Sequence, residues 1–309
     1  ANNYTADRWM CYSGGSSPGH TVTRSTDVPS SDFQYSLKNQ RNSGNTSTGS
    51  VYSVQFVESV NCFDLSNKMC TLSFWAKAGL TYSGTNGFLN VAVGTGTTAD
   101  QGYSTLAGGG WAGYATPLNV FPILNTYWTK YSYTFMVGSG TQEMFVMFNN
   151  STSGTAAADD SYYIAGVQLE KGPVATPFDK RHYTTELSLC QRYFEVIATG
   201  ASGGTTGTNN SGGIANVLTN ATNQIYATIL YKVTKRASAS LVYVSGTNYY
   251  QAYIAGNSGF NFTSIGQDHS GTQQSSIAAT VNSGTFTSGY CGYFYSTSAS
   301  GFVAFSSEL

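Results

Sequence analysis

The chain has 309 residues, enough for about two domains of ordinary size. Only 9% of them are Asp, Glu, Lys or Arg, against roughly 25% in ordinary soluble domains, and the net charge is −1. That balance excludes coiled coils, which need long Glu/Lys/Leu stretches, and nucleic-acid binding, which needs clustered Lys and Arg; residues 237–309 contain neither.

Apolar residues make up 40% of the chain and aromatics 14%, with 23 Tyr, spread evenly rather than segregated from a polar tail. A charge-poor chain rich in Ser, Thr, Gly and Tyr reads as all-β. No run of 18 apolar residues occurs, so no membrane insertion is expected. The chain begins at Ala1 with no charged-then-apolar signal, as a processed or trimmed product would. The cysteines Cys11, Cys62, Cys70, Cys190 and Cys291 are odd in number and scattered. Cys62 and Cys70 could bridge a loop, but buried free thiols and assembly in a reducing cytoplasm suit this pattern better.

Along the chain, alternation of apolar and polar residues dominates. Over 71–77, Leu72, Phe74 and Ala76 point one way, and Ser73, Trp75 and Lys77 the other. In 131–137 the inward set is Tyr131, Tyr133, Phe135 and Val137. Residues 144–148 are apolar on both faces, as a central strand requires, and Tyr163, Ala165, Val167 and Leu169 form another face. Gly-rich turns at 83–87, 108–110 and 138–140 separate these segments, which favours a sandwich over βαβ units. Gly172, Pro173 and Pro177 then break the pattern, and the two prolines suit a hinge. One short helix follows, with Tyr183, Leu187, Cys190 and Phe194 on one face, read as core packing. After residue 195 only Lys232, Lys235, Arg236, Asp268 and Glu308 are charged, and 201–213 reads as a flexible Gly/Ser/Thr/Asn loop. Strands are expected at 225–233, 240–244, 249–254, 289–295 and 301–305. The expected architecture is a jelly-roll β-sandwich over 1–178, a linker with a short helix over 179–195, and a second, smaller β-sandwich domain over 196–309.

The chemistry-bearing patterns are few. His20, His182 and His269 are isolated, and no zinc spacing, serine-hydrolase elbow or phosphate-binding loop occurs. Asp159 and Asp160 are the one adjacent carboxylate pair; neighbours on a strand face opposite ways and cannot flank a glycosidic bond together. As loop residues they are either a calcium site, with calcium as the cofactor, or plain solvated charge. Trp75 and Trp128 lie in alternating strands and are read as core. Trp111 and Tyr114 sit in a glycine-rich loop with little apolar support, which makes them candidate ligand contacts. Tyr249 and Tyr253 share a strand face with Gln251 between them, a face that could stack on sugar or pack on a neighbouring subunit.

Several segments together carry a resemblance. Residues 4–9 (Y-T-A-D-R-W) resemble an opening of phage virion proteins, and 41–48 (R-N-S-G-N-T-S-T) resemble a loop of the same proteins. Residues 71–78 (T-L-S-F-W-A-K-A) are similar to a strand of carbohydrate-binding jelly-rolls. The most specific piece is Q-L-E-K-G-P-V-A-T-P-F at 168–178 with E-L-S-L-C-Q-R-Y-F at 186–194, which resembles a signature of tailed-bacteriophage tail fibres. The resemblance covers 4–194 and weakly the last nine residues. It implies a structural, host-facing virion protein, usually a homotrimer, assembled in the bacterial host cytoplasm, with other virion proteins and a host cell-surface glycan as partners and no catalytic residues. The expected function is a tail fibre that binds a host receptor during adsorption. The alternatives are a purely structural capsid-decorating or adaptor-like fibre, and the sugar-binding module of a polysaccharide-degrading enzyme.

Overall fold

The computed structural model describes residues 3–4, 8–14, 19–108, 110–199, 213–220, 222–255 and 257–308. The loop expected at 201–213 therefore lies, up to residue 212, outside the described residues, as do residues 5–7 of the opening motif. The chain divides into two units, residues 1–180 and 181–308.

The strands of the first unit, in chain order, are β1 (Asn3–Tyr4), β2 (Met10–Ser13), β3 (His20–Ser25), β4 (Ser36–Arg41), β5 (Ser50–Val57), β6 (Met69–Ala78), β7 (Asn90–Gly96), β8 (Ala115–Val120), β9 (Thr129–Met136), β10 (Glu143–Ser151) and β11 (Ser161–Lys171), with a short helix α1 (Tyr103–Gly108) before β8. They form an antiparallel six-stranded sheet, β1-β2-β5-β10-β7-β8, and an antiparallel five-stranded sheet, β3-β4-β11-β6-β9. The main core gathers Leu72, Phe74 and Ala76 of β6, Tyr162 and Ile164 of β11, Val91 and Val93 of β7, and Met144, Val146 and Phe148 of β10. Each such side chain taken fully out of water contributes roughly 1.5–3 kcal/mol. Residues 144–148 are central, as their two-sided apolar pattern requires: β10 lies between β5 and β7.

The face expected at Tyr163, Ala165, Val167 and Leu169 does not form as one. A bulge between Ala165 and Gln168 breaks the ladder with β6. Val167 and Leu169 pack on the core, whereas Tyr163 lies against Trp128 on the other face of the sheet. Gly166 makes the bulge possible, with φ +56° and Phe33 only 2.7 Å from where a Cβ would stand. Trp75 and Trp128 are likewise half-buried on that outer face rather than in the core. Trp128 Nε1 donates to Asp27 at 2.8 Å, which Lys77 also pairs, so its polar edge stays near water while its ring packs. All five cysteines are free; Cys62 and Cys70 are buried thiols, and burial pushes the Cys62 thiol up to about 12.

The second unit holds helix α2 (Tyr183–Gln191) and strands β12 (Phe194–Thr199), β13 (Gly213–Thr219), β14 (Gln224–Leu230), β15 (Ser240–Tyr243), β16 (Tyr250–Ile254), β17 (Asn257–Phe262), β18 (Gly266–Ser270), β19 (Gln274–Thr280), β20 (Cys291–Ser296) and β21 (Phe302–Ser306). A three-stranded sheet, β12-β21-β15, and a seven-stranded sheet, β17-β16-β20-β13-β14-β19-β18, enclose a second core that includes Ile225, Tyr250, Phe262, Phe294 and Phe305. The short helix belongs to this unit. Its expected apolar stripe is not core: none of its residues is buried, Tyr183 is 74% exposed, and Phe194 stands in β12 instead. The helix end is held through backbone carbonyls, Gln191 accepting from Lys235 Nζ and Arg192 from Ser307 Oγ.

Candidate functional site

Of the four aromatic residues expected to contact ligand, Trp111 and Tyr114 belong to the first unit and Tyr249 and Tyr253 to the second. Trp111 is 4% exposed. The outer face of the six-stranded sheet is itself apolar, and the loop carrying α1 folds down over it, packing Trp111 against Phe56 and Phe145 beside Met10 and Val54. Its Nε1 donates to the Gly102 carbonyl at 3.2 Å, so even its polar edge is satisfied internally. Burial therefore corrects the ligand reading of Trp111. Tyr114 sits at the rim of the same patch, 47% exposed, its ring parallel to Phe145 at 6.3 Å.

Glu143 anchors this loop. It is 1% exposed, and its Oε2 accepts the Gln101 N–H at 2.5 Å. A Cβ at Gly96 would stand 2.8 Å from Glu143 Oε1 and 3.1 Å from the Trp111 ring, so the close packing of carboxyl and indole needs a glycine there. Burial first, and the neighbouring Asp100 second, raise the carboxyl from 4.5 to about 7 against the Gln101 hydrogen bond. A carboxyl raised in the folded state favours folding while protonated, so that contribution is present below pH 4.5 and lost as pH rises through about 7. The expected result is a urea midpoint that falls across this window in the wild type and falls less in Glu143→Gln.

Asp159 and Asp160, weighed as a calcium site, are each paired with a cation of the chain. Asp160 pairs with Arg41 at 3.2 Å, both side chains 1% exposed, and accepts Ser83 N at 2.8 Å and Ser83 Oγ at 2.6 Å. Asp159 accepts Leu80 N at 2.8 Å and Ser161 Oγ at 2.8 Å, and pairs with Lys38 at 3.1 Å. A cation would have to displace a buried guanidinium and an ammonium. Arg41 in turn donates to the carbonyls of Asn45 at 2.9 Å, Ser47 at 2.8 Å and Gly154 at 2.6 Å, which ties down the R-N-S-G-N-T-S-T loop. The Q-L-E…A-T-P-F segment closes similarly on itself: Glu170 accepts Thr176 N at 2.9 Å and Thr176 Oγ1 at 2.7 Å, and Gln168 Oε1 accepts Asp179 N at 2.8 Å.

The remaining pair separates too. Tyr249 lies in a tight turn before β16, its ring over Gly246 and packed on the second core. Tyr253 is different. Burial of Tyr250, Ala252 and Ile254 turns Gln251 and Tyr253 outward, and burial of Phe294 and Ser296 does the same for Tyr293 and Tyr295 on β20. Strand register sets Tyr253 opposite Tyr293, and Gln251 opposite Tyr295. On the flanking strands Asn216 stands opposite Tyr293, and Asn261 opposite Gln251. Tyr295 donates its hydroxyl to Gln251 Oε1 at 3.0 Å, Gln251 Nε2 donates to Asn261 Oδ1 at 2.8 Å, and the Tyr293 and Tyr295 rings stack at 5.5 Å. Tyr253 and Tyr293 remain 48% and 41% exposed. Strands β13, β14, β16, β17, β19 and β20 contain no Asp, Glu, Lys or Arg, so this face offers rings, amides and hydroxyls in place of charge.

Beside the tyrosines the sheet opens. β13 and β14 pair at Leu218 with Tyr226 and Thr219 with Ile225, next to the turn closed by Asn220 N and the Gln224 carbonyl at 3.0 Å. Further along, a cleft of about 350 Å³ is lined by Asn216, Thr228, Ile229, Glu195, Ile197 and Lys232, among others. Glu195 is neutralised by Lys235 at 2.6 Å, both essentially without solvent access. The sequence placed β20 as a strand but gave no sign that Tyr293 and Tyr295 would join Tyr253, because strand pairing across about forty residues brings them together.

No family model and no curated protein matches the chain. Among solved structures, the chain is similar to the enzymatically active domain of bacteriophage CBA120 tailspike protein 4, at 16% identity and TM-score 0.39, over 54% of this chain and 20% of that one. It thus spans about a fifth of that tailspike chain. It is also similar to a CBM4 structure, at 14% identity and TM-score 0.34, over 56% of this chain and 93% of that one. A third likeness is to the CBM22-1-CBM22-2 tandem domain of Paenibacillus barcinonensis Xyn10C, at 11% identity and TM-score 0.33, over 99% and 95% of the two chains.

Proposed function

We propose that the chain is a non-catalytic, glycan-binding fibre protein of a phage virion, with the outer face of the seven-stranded sheet as its binding surface. The observation that carries the glycan reading is the exposed row Tyr253–Tyr293–Asn216 backed by Gln251, Tyr295 and Asn261, on strands without charge. Tyrosine rings offer an apolar face to sugar C–H groups, and the amides and hydroxyls around them exchange hydrogen bonds with sugar hydroxyls. The virion reading rests on the tail-fibre resemblance of 168–178 and 186–194, and a homotrimer goes with it. Two of the buried carboxylates are held by cations, Asp160 by Arg41 and Glu195 by Lys235. Wild-type chain is expected to label host cells, to bind host polysaccharide without releasing reducing ends, and to sediment well above a 32.9 kDa monomer. Absence of cell labelling and polysaccharide binding would leave a purely structural fibre.

A further inference from the structure

We infer that the cleft between β13 and β14 takes the carboxylate-bearing residue of an acidic polysaccharide, with Lys232 as the cation that receives it. This rests on the reading of the neighbouring tyrosine face as glycan-binding, and adds the chemical class of the ligand.

Three observations converge. The first is charge. Glu195 and Lys232 are the charged residues that line the cleft, and Glu195 is paired at 2.6 Å with the buried Lys235, which does not line it, so Lys232 is left uncompensated. Its backbone N–H donates to Glu195 at 3.2 Å, which holds the residue at the rim, while the residue is exposed and its side chain has no ion-pair partner among the described residues. With Glu195 neutralised from behind by Lys235, the group of three is left with one positive charge, on Lys232. A cation at a concave, partly apolar wall acts with less solvent screening than one on an open surface.

The second is what surrounds that cation. Asn216 and Thr228 line the same cleft and supply an amide and a hydroxyl, while Ile197 and Ile229 supply apolar wall. A carboxylate beside several hydroxyls and an apolar ring face matches this set; a bare anion would leave the apolar wall unused. The volume, about 350 Å³, lies within the range of roughly 300–1,000 Å³ typical of small-molecule sites.

The third is continuity. Asn216 lines the cleft and also stands opposite Tyr293 in the sheet register, so a chain of sugars stacked on Tyr253 and Tyr293 runs on into the cleft. One acidic residue of a repeating polymer would then enter the cleft while its neighbours lie on the tyrosines.

The test uses the full chain and matched polymers: alginate, polygalacturonate and hyaluronate, each beside its carboxyl-reduced form. Wild type is expected to bind at least one acidic polymer about tenfold tighter than its reduced form at low salt, a preference that shrinks as salt screens the rim charge. Lys232→Gln should abolish the preference while keeping the affinity for the reduced form, and Lys232→Arg should retain it. Equal binding of acidic and reduced forms, or a preference that survives in Lys232→Gln, overturns the inference and leaves the tyrosine face standing. Binding of neither form by wild type overturns the inference and counts against the tyrosine face as well.

Discussion

Replacing Arg41 with methionine is expected to destabilise the first unit by about 3–5 kcal/mol, the range for removing one member of a buried ion pair. Asp160 would remain as an uncompensated buried charge, because the methionine cannot replace a guanidinium now 3.2 Å away. The carbonyls of Asn45, Ser47 and Gly154 would lose their donor at the same time. Arg41→Lys should recover only part of the loss, since one ammonium cannot reach acceptors arranged around a planar fork. Adding Asp160→Asn to Arg41→Met should cost less than the sum of the single changes, since it removes the stranded charge and an amide can still accept from Ser83. Urea unfolding of the four variants measures this. A midpoint for Arg41→Met within error of wild type would show that the pair is not the anchor described here.

Trp111→Ala should also cost about 3–5 kcal/mol, as large-to-small changes of buried aromatics do. The indole packs against Phe56 and Phe145 beside Met10 and Val54, and its loss leaves a cavity between them. The consequence is a stability defect in the first unit with glycan binding intact, because Tyr253 and Tyr293 lie in the second. Thermal unfolding and cell labelling, measured below the variant's unfolding temperature, separate the two effects. Lost labelling with unchanged stability would return Trp111 to the role its glycine-rich surroundings suggested.

That misreading shows where sequence patterns stop. Glycines around Trp111 pointed to an open loop, but burial was decided by what the loop meets, namely Val54, Phe56 and Phe145, which come from β5 and β10. Alternation along 161–171 pointed to one face, but a single glycine at 166 changed which side chains face the core. Asp159 and Asp160 looked available for a cation because Arg41 is far away in the chain, and only the pairing of β4 with β11 brings it near. By contrast, the all-β class, the central position of 144–148 and the inward set of 72, 74 and 76 were legible, since each depends on local alternation that tertiary packing reinforces. The tyrosine face lies between these cases. Tyr253 was singled out, yet its partners Tyr293 and Tyr295 became visible only once strand register was known.

The low charge of the chain gains a physical reading from this arrangement. On the strands that carry Tyr253 and Tyr293, which hold no charged residue, exposed rings and amides can meet a hydroxyl-rich polymer without the cost of stripping water from ions.

The most direct test of the central claim is the affinity of Tyr253→Ala/Tyr293→Ala for the host polysaccharide that wild type binds, measured by titration calorimetry. Both side chains are about half exposed, so the double variant should keep the wild-type unfolding midpoint while its affinity falls at least tenfold. An unchanged affinity in a folded double variant would contradict the assignment of this face as the binding surface.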